Sequence, residues 1–265
     1  MIESWRWRLS RLLPSSLFTG ALIACAIAIV GIWAFSLNRQ ALWPVIRACV
    51  ANSRLTGSPF PCLEVKLEGG AQRGFVVLRP PIGQPDTILS PIRWVSGVES
   101  PLLMSPEAPN YFADAWNARR FVTDADGRPI DPLRIGLVVN PKERRTQDQL
   151  HIHIGCLVPE AEAALQAFAA RAPAGQWSKL GALVPHSVFW GFPTGSTDLA
   201  TVEPFRLAVA AMAGMTQNQA NVTVAVGLTS VKGRKEFIVL ATYPGAPHQW
   251  WTMGSDDLLE YDCQG

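Results

Sequence analysis

The sequence has few of the side chains from which metal centres are built. It contains four histidines and five cysteines, and no two cysteines form a Cys-x-x-Cys pair. A structural zinc site needs four such ligands, usually grouped at short spacings. We therefore expect no structural metal in this protein.

The sequence also lacks an excess of charge of either sign. Its 23 basic residues are almost balanced by 21 acidic ones, and the net charge is +2. A nucleic-acid-binding protein needs a basic patch or stripe that neutralises phosphates. The composition therefore gives no reason to expect nucleic acid as a partner.

Long apolar runs are scarce, and the one at residues 17–37 carries no charge. As a helix at about 1.5 Å per residue, it is roughly as long as the hydrocarbon layer of a bilayer is thick. Bulky residues end the run and no Ala-x-Ala site follows, which favours an uncleaved signal anchor over a cleaved signal peptide. Arginines within residues 1–16 predict a cytoplasmic amino terminus, so the body lies on the other side, the periplasm in a bacterium.

Four cysteines follow the apolar run: Cys49, Cys62, Cys156 and Cys263. An even number suits an oxidising compartment, and four cysteines allow three pairings. Cys49–Cys62 is the local choice and leaves Cys156–Cys263. Free, buried thiols are the alternative.

Alternating apolar residues predict strands in the part from 42 to 158. A hairpin is expected over 62–67 and 74–78, a strand at 87–89, and further strands at 134–139 and 149–157, with a helix over 109–122. The expected arrangement is α+β, with an antiparallel sheet against packed helices.

The part from 159 to 265 has similar elements. Helices are expected at 159–171 and 203–214, and a hairpin over 221–226 and 236–240. Residues 235–240 resemble residues 73–78, which suggests either a degenerate repeat of the first half or two ordinary hairpins. His186 and His248 lie in expected loops, and their roles stay open.

The most informative stretch is His-Ile-His-Ile at 151–154, where two of the four histidines occur. Strict alternation predicts a strand with both imidazoles on one face. Such a pair can be a surface pair or half of a metal site. Upstream, however, an apolar run ends at Asn140, and a basic loop at 141–146 follows, which together favour a phosphate pocket.

These residues resemble the histidine-triad (HIT) signature of nucleotide hydrolases and transferases. The resemblance rests on Val-Val-Asn ending at Asn140, on Gln147 and on His-Ile-His-Ile, and it implies that His153 attacks the α-phosphate of a nucleotide. His151 is then its neighbour in the strand, and Asn140 and Gln147 are phosphate or imidazole partners. The third histidine of the triad is replaced by Gly155, as in outlying branches.

Four further motifs resemble the bacterial CDP-diacylglycerol pyrophosphatase family, and the resemblance runs from Trp43 to Cys263. They are the segments at 86–92, 97–101, 108–112 and 145–147. The resemblance implies hydrolysis of CDP-diacylglycerol to CMP and phosphatidate through a cytidylyl–histidine intermediate, without a metal or other cofactor. Arg145 and Thr146 would join the phosphate-binding residues.

The resulting prediction is a single-pass inner-membrane enzyme with a periplasmic body. Its expected fold is an α+β, HIT-like antiparallel sheet with packed helices behind one transmembrane helix, with or without a second HIT-like half. The expected partners are CDP-diacylglycerol and the bilayer that holds it, whereas the oligomeric state stays open. The alternatives are a HIT-like enzyme acting on another nucleotide, a nucleotidyl transferase and a non-catalytic nucleotide-binding module.

Overall fold

The computed structural model describes residues 38–80, 86–181, 183, 188–216, 218–243 and 254–263. The expected membrane span at 17–37 lies outside these ranges, as do His186 and His248. Among the described residues, no helix combines the length and the apolar character needed to cross a bilayer.

Ten strands of the described chain form one sheet in which every pairing is antiparallel. Their spatial order is β1-β2-β3-β5-β4-β8-β9-β7-β6, and β10 pairs with β5 outside this path. In chain order they are β1 (Glu64–Lys66), β2 (Phe75–Leu78), β3 (Thr87–Pro91), β4 (Ile135–Val139), β5 (Ile152–Leu157), β6 (Ser178–Gly181), β7 (Phe189–Pro193), β8 (Thr223–Val231), β9 (Arg234–Thr242) and β10 (Leu259–Glu260).

The helices of the described chain are short. They are α1 (Leu42–Thr56), α2 (Gly70–Arg73), α3 (Tyr111–Ala118), α4 (Pro159–Ala169), α5 (Pro204–Met212) and α6 (Ser255–Leu258). The Asn110 side chain accepts a hydrogen bond from Ala113 N and so caps α3, while Pro159 and Pro204 begin α4 and α5. Proline suits the first position of a helix because a backbone N–H there would have no acceptor within the helix, so its absence costs no hydrogen bond.

The predicted fold class is wrong. An α+β, HIT-like sheet with packed helices, with or without a second HIT-like half, was expected, whereas the described residues form a single ten-stranded antiparallel sheet with few helices. Strands β1–β5 and strands β6–β9 join edge to edge in this sheet, because β4 pairs with β8 and Val138 lies opposite Ala225. This contact spans a long stretch of sequence, and no local pattern specifies it.

The two faces of the sheet are covered differently. Helices α3 and α5 pack together over one face and bury a large apolar cluster that includes Phe112 and Phe205. On the other face, α1 packs on strands β2 and β3, and α4 packs on strands β4, β8 and β9. The second face is therefore covered from its two ends by separate helices.

Of the three possible pairings, the structure has the one that includes the local choice, so the expected disulfides are present. Cys49–Cys62 ties α1 to the segment before β1, and Cys156–Cys263 ties β5 to the last described residue. The sequence separations are 13 and 107 residues. All four cysteines are buried, so the two crosslinks differ mainly in the length of the loop that each closes.

Removing the long-range disulfide will cost more stability than removing the local one. In the chain-entropy account, a crosslink closing about 15 residues contributes about 3 kcal/mol and one closing about 100 residues about 4.7 kcal/mol. We expect the pair Cys156→Ala with Cys263→Ala to lower the free energy of unfolding by roughly 1–2 kcal/mol more than Cys49→Ala with Cys62→Ala. Urea unfolding of the full-length protein measures both, and an equal or larger loss from the local pair would contradict this account.

Candidate functional site

His153 lies near the middle of the sheet, on the face that α1 and α4 cover. In β5 it stands opposite Ile88 of β3 on one side and Val138 of β4 on the other. Ile88 belongs to the apolar cluster under α1, and Val138 to the cluster under α4. Residues directly opposite in antiparallel strands share a face, so His153 occupies the gap between the two clusters, with 12% of its side chain exposed.

Asn140 approaches the Nε2 edge of this imidazole. The residue directly follows β4, is buried, and its Nδ2 lies 3.2 Å from His153 Nε2. The Asn140 Oδ1 accepts a hydrogen bond from Ser255 N at 2.6 Å, which fixes the orientation of the amide. Because an amide NH2 can only donate, His153 Nε2 accepts and carries a lone pair.

Asp86 holds the opposite edge of the ring. Its Oδ2 makes a short hydrogen bond with His153 Nδ1, and 4% of the residue is exposed. A carboxylate only accepts, so the proton of the neutral imidazole lies on Nδ1. The two contacts together define a single tautomer, with Nδ1 protonated and Nε2 unprotonated.

His151 lies beside His153, and the two ring centroids are 4.8 Å apart. It is buried, and its Nδ1 is 2.8 Å from the carbonyl oxygen of Gln149, to which it donates as a neutral ring. Burial is the main cause that lowers the pKa of His151 to about 4, and electrostatic repulsion from the neighbouring His153 ring contributes to the same lowering. His151 is therefore neutral at physiological pH.

Arg145 is held by two carboxylates. Its Nη1 and Nη2 donate to Glu99 at 2.8 and 2.9 Å, its Nε donates to Asp148 at 3.3 Å, and 5% of the side chain is exposed. Burial acts to raise the pKa of Glu99, but hydrogen bonds from Arg145 and from nearby groups outweigh it, and the pKa is lowered. The guanidinium thus fixes the loop at 141–148 to the segment that contains Glu99.

Gln147 is engaged by the start of α1. Its Oε1 accepts from Leu42 N at 2.8 Å, and its Nε2 donates to the carbonyl oxygen of Asn38 at 3.1 Å. Arg39 adds an ion pair with Asp148 at 2.7 Å. The same loop is therefore fastened to the first described residues of the chain.

Of the six residues selected from the sequence, the structure brings three together: His153, Asn140 and His151. Arg145 and Gln147 lie on the adjoining loop with their polar groups bonded elsewhere, and Thr146 is exposed on that loop. In the described part of the chain, no three His, Cys, Asp or Glu side chains are grouped so that they could hold a metal ion.

Sequence reasoning missed Asp86 and Ser255 as site residues. Continuing the observed registers by one residue puts Asp86 opposite Gly155 and Asn140 opposite His151, so both flank His153 diagonally on its own face. Strand alternation from Ile88 could have placed Asp86 on the histidine face if the pairing of β3 with β5 had been known. No sequence signal links Ser255 to Asn140, which lies 115 residues away.

Comparison with known proteins shows which family the chain resembles. Residues 37–264 match the family model described as CDP-diacylglycerol pyrophosphatase. The chain is also similar to a protein of Yersinia pestis named CDP-diacylglycerol pyrophosphatase, with 35% identity over 266 residues, covering all of this chain and 97% of that protein.

The lowered pKa of His151 predicts a specific dependence of stability on pH. Between about pH 4 and pH 6.5, the unfolded chain binds a proton at His151 that the folded chain does not. The free energy of unfolding contributed by this group therefore rises with pH through that window and is constant above it. His151→Asn, which offers an amide NH near the position of Nδ1, is expected to flatten this rise.

Urea unfolding at several pH values between 4.5 and 7.5 measures the difference between wild type and His151→Asn. Asp114, whose pKa burial raises to about 6, acts in the opposite direction, but it is present in both proteins and cancels in the difference. Parallel stability curves would show that His151 titrates normally in the folded protein.

Proposed function

The chain belongs to the CDP-diacylglycerol pyrophosphatase family and is a hydrolase of the pyrophosphate bond of CDP-diacylglycerol; we propose that it breaks this bond through a cytidylyl intermediate on His153. The observation that carries the proposal is the tautomer of His153. An imidazole with its proton held on Nδ1 and an unprotonated Nε2 has the lone pair that can attack phosphorus.

In the first step, Nε2 of His153 attacks the phosphorus that bears cytidine. A P–N bond forms, the bond from that phosphorus to the bridging oxygen breaks, and phosphatidate leaves with the electron pair. In the second step, water attacks the same phosphorus and loses a proton to solvent as the new P–O bond forms. The P–N bond breaks, its electron pair returns to Nε2, and CMP is released. Two displacements through a covalent intermediate replace one difficult displacement.

Asn140 supports both steps in this proposal. Before the reaction its Nδ2 lies 3.2 Å from Nε2. When the lone pair becomes a P–N bond, that N–H no longer has the ring as acceptor and donates to a phosphoryl oxygen. A donor held in place beforehand stabilises charge in the transition state without reorganisation, and Ser255 holds this one through the Asn140 Oδ1.

The remaining selected residues act around this centre. His151 packs edge to face against the nucleophile and limits rotation of its ring. Arg145 and Gln147 keep the loop at 141–148 in place through Glu99 and Leu42. Thr146, exposed on that loop, is a hydroxyl donor for the phosphate groups of the substrate.

We further propose that residues 17–37 anchor the protein in the inner membrane, with the body in the periplasm. Two features support this proposal. Two disulfides suit an oxidising compartment. In addition, Asn38 and Arg39, the residues that follow the apolar run in the sequence, are bound to Gln147 and Asp148 of the loop at 141–148, which fits a substrate held in a bilayer.

The covalent intermediate predicts a radioactive adduct. Full-length protein is mixed with CDP-diacylglycerol carrying 32P on the cytidine side in detergent micelles and quenched in alkaline denaturant, because phosphoramidates are labile in acid. We expect label on wild-type protein at His153 and none on His153→Gln, with CMP release reduced on the order of 10⁴–10⁶-fold, as when a nucleophile is removed.

Circular dichroism and urea unfolding of His153→Gln provide the control for folding. CMP release by a folded His153→Gln at the wild-type rate would overturn the nucleophile assignment. Product analysis with added glycerol separates hydrolysis from transfer, since a transferase would leave CMP attached to glycerol.

A further inference from the structure

We propose that Asp86 is a positioning residue for the nucleophile, and that it keeps the proton of His153 on Nδ1 and the lone pair on Nε2. The inference rests on the proposed function, because it concerns the same imidazole. Asp86 contacts the ring on the side away from the phosphorus that His153 is proposed to attack, so it acts through His153.

The burial of this contact makes it strong. Asp86 is 4% exposed and the His153 side chain 12% exposed, so water cannot easily replace either partner. A buried carboxylate without a partner is unstable, because it has lost its hydration. If the ring were protonated on Nε2 instead, Nδ1 would present a lone pair to the carboxylate, and two acceptors would face each other.

The opposite edge of the ring imposes the same tautomer independently. Ser255 N donates to Asn140 Oδ1, and Asn140 Nδ2 donates to Ser255 Oγ at 3.1 Å. These two hydrogen bonds leave the Asn140 amide one orientation, with an N–H towards His153 Nε2. If Nε2 carried the proton, its N–H would face the N–H of Asn140, and two donors would meet. At the other edge, an unprotonated Nδ1 would face the carboxylate of Asp86, and two acceptors would meet.

Ser255 can hold this orientation because the segment around it is fixed to the sheet. Leu259 in β10 pairs with Leu157 of β5, and Cys263 is joined to Cys156 of the same strand. Asp257 of α6 adds an ion pair with Arg144 at 3.2 Å. The ring is therefore held between Asp86, which directly precedes β3, and a segment near the carboxyl terminus.

Asp86 has a second effect once the P–N bond forms. The imidazole then has a substituent on Nε2 and still carries its proton on Nδ1, so it gains a positive charge. No proton has to leave the ring, because the carboxylate of Asp86 lies against Nδ1–H and compensates that charge in place. This is electrostatic stabilisation by a group that is positioned before the reaction.

Two substitutions test the two effects. Asp86→Ala removes both the acceptor and the charge, whereas Asp86→Asn loses the charge and introduces an amide NH2 that can donate to an unprotonated Nδ1 and so favour the other tautomer. Replacing the aspartate that orients the histidine of a serine protease by asparagine costs about 10⁴-fold in kcat because the histidine takes the wrong tautomer. We expect kcat for CMP release to fall on the order of 10²–10⁴-fold in both variants, with KM changed less than about threefold.

Asp114→Asn is the matched control. Asp114 is a partly buried carboxylate on α3, which packs on the opposite face of the sheet. We expect this substitution to leave kcat within about twofold of wild type, because Asp114 takes no part in the interactions that are proposed to stabilise the transition state. If kcat fell equally in Asp114→Asn, the effect of the Asp86 substitutions would be due to general destabilisation, and the proposal would be overturned.

Nitrogen-15 NMR of histidine-labelled, full-length protein reports the tautomer directly. The chain has four histidines, and His153→Gln identifies the signals of His153 by their absence. We expect a protonated Nδ1 and an unprotonated Nε2 in wild type, and a mixture of tautomers in Asp86→Ala. A wild-type signal with the proton on Nε2 overturns the proposal even if neither Asp86 variant folds.

The two proposals fail in different ways. If no adduct forms on His153 in wild type, the proposed intermediate is wrong. If the adduct forms on His153 but Asp86→Ala retains wild-type kcat and a single tautomer, the intermediate stands and the role of Asp86 does not.

Discussion

The site depends on the hydrogen bonds at the two edges of one imidazole. Asp86 accepts at Nδ1 of His153 and Asn140 donates at Nε2. Neither group could hold the ring as firmly in water, where solvent competes for each hydrogen bond and the net gain is about 1 kcal/mol. Burial between strands removes that competition, and the sheet supplies the burial.

The order of the strands explains why both groups are available. β5 is flanked by β3 and β4, so residues from two different strands lie beside each histidine. The helices α1 and α4 cover the same face from opposite ends and leave His153 between their clusters. Among the described residues, the two apolar clusters therefore end on either side of His153. The extension of the sheet through β8 and the return of the chain at β10 bring Ser255 to the site.

The sequence predicted the local features well, because they depend on near neighbours. Alternation around His151 and His153 placed both rings on one face, and the short separation of Cys49 and Cys62 favoured the pairing that is observed. The single sheet was missed because the pairing of β4 with β8 depends on packing between distant segments. Asp86 was missed for the same reason, and the partners of Arg145 and Gln147, namely Glu99 and the start of α1, became visible only in three dimensions.

The most direct test of the account is the P–N bond itself. Full-length protein with nitrogen-15 in both ring positions of histidine is allowed to react with CDP-diacylglycerol, trapped in alkaline denaturant, and examined by phosphorus and nitrogen NMR. The account predicts a one-bond phosphorus–nitrogen coupling to Nε2 of His153 in the wild-type protein. Coupling to Nδ1, to another histidine or to no nitrogen at all would contradict it.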